Sequence, residues 1–166
     1  MSKEHTEYGF WIREAQEVDR EWMREVATRR WGSPVVVSRG QAHSVESLPG
    51  LLAMRHDWPL GLLTYHIAGS ECEIITLDSM IGGMGLGTML LAAIQQTARA
   101  ARCQRLWLIT TNDNTTALRY YQKRGFRLVA VHIDALEHSR RIKPEIPLIG
   151  NDGIPLRDEI ELQMIL

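Results

Sequence analysis

Residues 80–91 read MIGGMGLGTMLL, and the stretch that follows is the most constraining pattern in the chain. Leu86, Met89, Leu90, Ala93, Ile94, Thr97, Ala98 and Ala101 fall at i, i+3, i+4, i+7, i+8, i+11, i+12 and i+15. That spacing predicts one apolar face of an α-helix. Gln95, Gln96, Arg99 and Arg102 lie mostly off it. The residues just before the glycines, CEIITLDSM, read as a strand. A strand that enters a helix through Gly82, Gly83, Gly85 and Gly87 implies a sheet with that helix packed on one face.

The rest of the chain supplies such a sheet. YGFWIREA, Tyr8 to Ala15, alternates as a first strand, and EVDREWMREVATRRWG follows as a helix ending at Gly32. VVVSRG reads as a strand turning at Gly40, and GLLAMRHD with PLGLLTYHIAG as a hairpin turning at Asp57 to Pro59. Beyond the glycine segment, RLWLITTN is a continuous apolar strand, as expected where both faces are covered. NTTALRYYQKRG predicts a short helix capped by Asn114 and stopped by Gly125. FRLVAVHI, then ALEHSRRIKPEIP broken at Pro144, then DEIELQMIL predict a strand, a helix and a final strand. The expectation is an α/β protein: a hairpin-rich front half joined to a β-α-β-α-β back half in one mixed sheet, residues 1–166 forming one domain.

Composition narrows the function classes. A net charge of −1, with 45% hydrophobic and 23% charged residues, gives no global attraction to nucleic acid or a membrane surface, so neither is expected as a partner. No apolar run approaches ~20 residues, and MSKEHTEYGF has no apolar signal core. Cys72 and Cys103 are far apart, which suits a reduced, cytoplasmic setting. His43, His56, His66, His132 and His138 are scattered without metal-ligand spacing, so no metal is expected. His132 reads as a satisfied edge histidine, Trp31 as a core tryptophan rather than a pocket wall, and Arg140, Arg141 and Lys143, like the pair Lys123 and Arg124, as a solvated face rather than contacts to an acidic ligand.

The glycine turn is a ready anion site, because a helix start carries free N–H groups and glycines let the backbone approach a phosphate. It is not a P-loop, since Gly87 is followed by Thr88 and Met89 rather than Lys and a hydroxyl residue. Nor is it a dinucleotide turn, because the glycines from Gly83 are spaced G-x-G-x-G. Close packing of strand on helix remains the alternative reading. In NTTALRYYQKRGF, Asn114, Ala117 and Tyr121 share a helix face, while Tyr120 is rotated off it. That places a polar residue at a helix mouth and a phenol two turns along, or else an N-cap and a core aromatic.

Together the two segments resemble the GNAT superfamily of acyl-CoA-dependent N-acetyltransferases. Gly85 and Gly87 match its Gln/Arg-x-x-Gly-x-Gly/Ala signature, with Gly82 standing where Gln or Arg is usual. Asn114, Ala117, Tyr121, Gly125 and Phe126 match its Asn-x-x-Ala-x-x-x-Tyr-x-x-x-Gly-Phe pattern, and Glu73 lies where many members carry a strand glutamate. The resemblance covers Glu71 to Val131 closely. It implies a central, mostly antiparallel sheet with a splayed parallel strand pair and flanking helices. It also implies acetyl-CoA as co-substrate and an amine acceptor, with a homodimer left open.

By the same resemblance, backbone groups of Leu77, Asp78 and Ser79 pair with the pantetheine arm, and Asn114 and Ala117 face it from the other side. Gly83, Met84, Gly85, Leu86, Gly87 and Thr88 hold the pyrophosphate, largely by main-chain N–H groups. Tyr121 is the candidate acid for the leaving thiolate, and Glu73 the candidate base, with Asp78 its rival. A strand-surface glutamate facing Arg or Lys is the alternative reading of Glu73. A non-catalytic acyl-CoA sensor of the same fold is the competing function.

Overall fold

The computed structural model describes residues 9–166; Tyr8, expected in the first strand, lies outside them. The strands are β1 (Phe10–Glu14), β2 (Val35–Ser38), β3 (Gln41–Ser44), β4 (Gly50–Arg55), β5 (Trp58–Ala68), β6 (Glu71–Ser79), β7 (Arg105–Thr111), β8 (Arg127–His132) and β9 (Glu159–Ile165). The helices are α1 (Arg20–Trp31), α2 (Leu86–Ala100), α3 (Thr115–Gln122) and α4 (Ala135–Ile142). Seven strands form one sheet in the order β1-β4-β5-β6-β7-β9-β8, antiparallel throughout except for the β6–β7 pair. This is the mixed, mostly antiparallel sheet that the resemblance implied.

Two apolar layers hold the helices on opposite faces. Leu86, Leu90 and Ile94 of α2 are fully buried against Phe10, Leu63, Cys72 and Leu106 on one face. Met23, Val26 and Ala27 of α1 are buried against Leu52, Met54 and Leu62 on the other. Gly61 lets α2 approach: a Cβ there would come within 3.1 Å of both Ala53 Cβ and Leu90 Cδ1. The apolar face read from Leu86 onward is therefore the main core seam.

Three features differ from the sequence reading. The VVVSRG strand does not join the main sheet. It turns through Arg39 (φ 49°) and Gly40 (φ 73°), pairs with β3, and forms a separate two-stranded sheet. Two consecutive positive φ values suit a tight hairpin. The polar QAHS carries no strand-like alternation, so β3 was not legible. The β4–β5 turn sits at His56 (φ 53°) and Asp57, leaving Pro59 in β5 at an irregular point of the ladder, where a missing N–H is tolerated.

The third feature is a bulge in β6. Tyr65 pairs with Ile74 and Thr64 with Thr76, so Ile75 is an extra residue without a partner on β5. An inserted residue reverses the side-chain alternation beyond it. Ile74 joins the α2-face core, whereas Asp78 pairs with Leu62 of the α1-face core. Glu73 and Asp78, five positions apart, thus project to the same face. The β6–β7 ladder runs from Glu71–Arg105 to Ile74–Leu108 and stops there, although both strands continue.

Leu90 is fully buried in the α2 seam. Leu90→Ala is expected to lower unfolding free energy by about 3 kcal/mol, measured by urea denaturation.

Candidate functional site

The gap between the diverging ends of β6 and β7 opens into a cavity of about 690 Å³. Ile74, Ile75, Ile109, Thr110 and Thr111 line it from the two strands, and Asn114 from the start of α3. Val36, Val37 and Ser38 of β2, Trp31 at the end of α1, and residues of the segment from α4 to β9 complete the wall. The small hairpin therefore serves as a cover on the α1 face. A cavity of this size matches those that hold small organic molecules.

Glu73 is buried and accepts the hydroxyl hydrogen of Ser38. Burial raises its carboxyl to about 7; the Ser38 hydrogen bond opposes the shift, and the charge of Glu159 adds to it. Glu73 is therefore not a strand-surface residue, although the charge of Arg105 still reaches it. Asp78 is also buried and raised by desolvation, with the Trp31 indole N–H, 3.2 Å from Oδ2, pulling the other way. Trp31 is 42% exposed and lines the cavity, so it is not the core tryptophan expected. A helix-end position followed by Gly32 placed it at the rim.

Tyr121 packs edge-on against Tyr120 and Phe126, with ring centroids 5.3 and 5.4 Å away. Desolvation pushes its phenol well above the usual range, and the charges of Tyr120 and Asp78 push it further. Tyr121 and Asp78 therefore interact electrostatically. Asn114 caps α3, its Oδ1 accepting the Ala117 N–H at 3.1 Å, which leaves its amide nitrogen as a donor. The Ser79 carbonyl already accepts from Arg30 at 2.9 Å, so Leu77 and Asp78 keep the freer edge of β6.

The glycine turn has the backbone shape of an anion cradle. Gly83 (φ 74°) and Gly85 (φ 75°) are left-handed, which disfavours any side chain there. Gly85 is the N-cap of α2, so the N–H groups of Leu86, Gly87 and Thr88 lie in its first turn, without helix carbonyls to bond. The Leu86 side chain points into the core and contributes only main chain.

Two residues at this turn were not chosen as site residues from the sequence. The Tyr120 hydroxyl lies where a Cβ on Gly87 would fall. The Arg124 guanidinium stacks 3.5 Å from the centre of the Tyr120 ring, and its Nε donates to Thr88 Oγ1 at 3.2 Å. The spacing from Tyr120 to Arg124, one helical turn, was the available signal. Elsewhere, Arg140 and Lys143 are not a solvated face. Arg140 donates to the carbonyls of Ile146, Pro147 and Leu156, and Lys143 is buried, donating to those of Trp31 and Val35. His132 is satisfied at the sheet edge, 2.8 Å from Glu161.

Comparison with known proteins agrees with this geometry. Residues 4–126 match the model of the acetyltransferase (GNAT) family. An uncharacterised Bacillus subtilis protein, YdhI, is 40% identical over 151 residues, covering 90% of this chain and 94% of that protein. Among solved structures, an IAA acetyltransferase from Bacillus cereus superposes with a TM-score of 0.71 at 23% identity, covering 95% of this chain and 99% of that one. A GNAT family acetyltransferase from Elizabethkingia anophelis, solved with acetyl-CoA bound, gives 0.69 at 18% identity, covering 97% and 100%.

A carboxyl raised from 4.5 to about 7 keeps a proton in the folded protein that the unfolded chain releases between those values. Glu73 therefore lowers stability as pH rises through that window, by on the order of 3 kcal/mol once fully ionised. Urea denaturation at about pH 5 and about pH 8 is expected to show wild type losing more stability than Glu73→Gln between the two.

Proposed function

The chain belongs to the GNAT acetyltransferase family, and from that premise we propose that it moves the acetyl group of acetyl-CoA to a primary amine, by direct attack in a ternary complex. The observation that carries this reading is the β6–β7 ladder ending at Ile74 and Leu108, with the cavity opening at that point. Backbone groups freed from a ladder must find other partners. An extended pantetheine arm supplies them on Leu77 and Asp78, with Ser79 beside them and the Asn114 amide and Ala117 opposite.

The pyrophosphate rests on the turn from Gly83 to Thr88, with Met84 between the two left-handed glycines. Arg124, held against Thr88, supplies a cation in place of the side chain missing at Gly82. The coenzyme carries the activated acyl group, and this chain positions and polarises it.

The acceptor ammonium gives a proton to Glu73, through the Ser38 hydroxyl or a water. The free amine nitrogen then bonds to the thioester carbon, and the carbon–sulfur bond breaks. Tyr121 protonates the departing thiolate and is reprotonated from solvent. A base raised to about 7 is suited to this task near neutral pH. Burial above all, with the charges of Tyr120 and Asp78 beside it, keeps the phenol protonated until the thiolate forms. Asp78 is the rival base: it too is buried and raised, and it accepts from Trp31 as Glu73 accepts from Ser38. Residues 1–166 act as one acetyltransferase domain in this reading.

The test is release of CoA thiol from acetyl-CoA across a panel of primary amines. Tyr121→Phe is expected to lower kcat on the order of 100-fold, with the Michaelis constant for acetyl-CoA nearly unchanged. Normal turnover by that variant would remove the acid role. Coenzyme binding without thiol release on any amine would replace the enzyme by an acyl-CoA sensor. Arg124→Gln is expected to weaken CoA binding about 10-fold by calorimetry, with a smaller loss for a truncated pantetheine thioester lacking phosphates.

A further inference from the structure

The buried polar groups in and beside the cavity are unequally served. Glu73 accepts from Ser38, Asp78 from Trp31, and Asp113 from the Asn151 N–H and the Thr111 hydroxyl. Lys143 spends two of its three N–H donors on backbone carbonyls, tying β2 to the end of α1. Glu159, the first residue of β9, differs from all of these. It lines the cavity and is only 1% exposed, and its Oε2 has no hydrogen-bond partner.

The groups that face Glu159 serve it only in part. Ser139 Oγ stands 3.5 Å from Oε1, the other oxygen. The Arg39 guanidinium, from the turn between β2 and β3, stands 3.7 Å from Oε2 and is 43% exposed at the rim. That distance is an ion pair without a hydrogen bond. Desolvation raises the Glu159 carboxyl, and Arg39, by its charge, main-chain N–H and guanidinium, and His132, by its charge alone, only partly offset that. A buried carboxylate oxygen without a donor is costly, and a ligand that brings an N–H relieves the cost. Val36, Val37, Ile109, Leu136, Ile146 and Leu156 make the larger share of the same cavity's walls apolar, beside polar groups such as Ser38, Thr110 and Lys143.

We propose that Glu159 docks the ammonium group of the acceptor, and that the acceptor is a primary amine on a compact apolar body. The proposal rests on the acetyl-transfer reading and adds to it a binding residue and a substrate class. Glu159 donates nothing and accepts the ammonium N–H in a charge-assisted hydrogen bond. The apolar body fills the space under the β2–β3 cover. A polyhydroxylated amine or a polyamine would set unpaired hydroxyls or further charges against these walls. The adjacent Glu73 receives the proton once the amine is seated.

The test is calorimetric binding of amines to the protein saturated with CoA, where no acetyl group is present and turnover plays no part. Probes are hexylamine and phenethylamine, with glucosamine and spermidine as polar counterparts. The two apolar amines are expected to bind wild type more tightly than either polar one. Glu159→Gln is expected to weaken them about 10- to 100-fold while leaving the affinity for CoA within about twofold. Glu159→Asp, which keeps the charge, is expected to recover part of the loss, and it is the variant to read if Glu159→Gln fails to fold by thermal melting. Preference for glucosamine or spermidine, no binding of the apolar amines, or undiminished binding by the folded variants would overturn the proposal. Amine binding that depends on Glu159, without thiol release from acetyl-CoA in the wild type, would instead sink the acetyl-transfer reading.

Discussion

A single extra residue in β6 organises this protein. Ile75 has no partner on β5, and two consequences follow at that point. The alternation of side chains reverses, so Glu73 and Asp78 share a face that regular pleating would have denied to one of them. The ladder to β7 also ends, and two strands that began parallel diverge. The first effect assembles carboxylates on the α1 face. The second leaves backbone groups and a cavity where a sheet would otherwise be closed. A bulge bends its strand, and the β6–β7 ladder stops beside it.

The remaining elements serve the two sides of that gap. On the α2 face, a dense apolar seam fixes the helix whose first turn follows the left-handed Gly83 and Gly85. Helix α3 and the turn that follows it bring Tyr121 and Arg124 to the same side. On the α1 face, the β2–β3 hairpin and the segment after α4 enclose a cavity of mixed lining, with buried carboxylates in and beside it. Burial raises both Glu73 and Glu159, so the space favours a ligand that carries its own positive charge. One side of the gap thus suits phosphates and the other an ammonium group. That division fits a reaction between a phosphorylated acyl carrier and an amine.

Much of this was legible in the sequence, for identifiable reasons. The period of Leu86 to Ala101 gave the helix at the core, and the apolar runs of β5, β6 and β7 gave the sheet, because these patterns follow directly from burial. Asn114 was legible as a cap because capping is local. The bulge at Ile75 was not, since CEIITLDSM reads as an unbroken strand and the reversal depends on pairing with Thr64 and Tyr65. Glu159 was not singled out because DEIELQMIL reads as an ordinary strand, and its burial depends on α4 and the hairpin folding over it. Arg124 sat in a basic pair whose role depended on Thr88, distant in sequence. Long-range juxtaposition, rather than local propensity, separated what was read from what was missed.

The central claim is that the gap beyond Ile74 and Leu108 is where coenzyme and amine meet. A crystal structure of the protein with CoA tests it most directly. The account predicts the pantetheine arm running between β6 and β7 beyond Ile75, the pyrophosphate on the turn from Gly83 to Thr88, and the thiol facing Tyr121 at the mouth of the cavity. CoA bound elsewhere on the surface, with the gap between the two strands left clear, would contradict it.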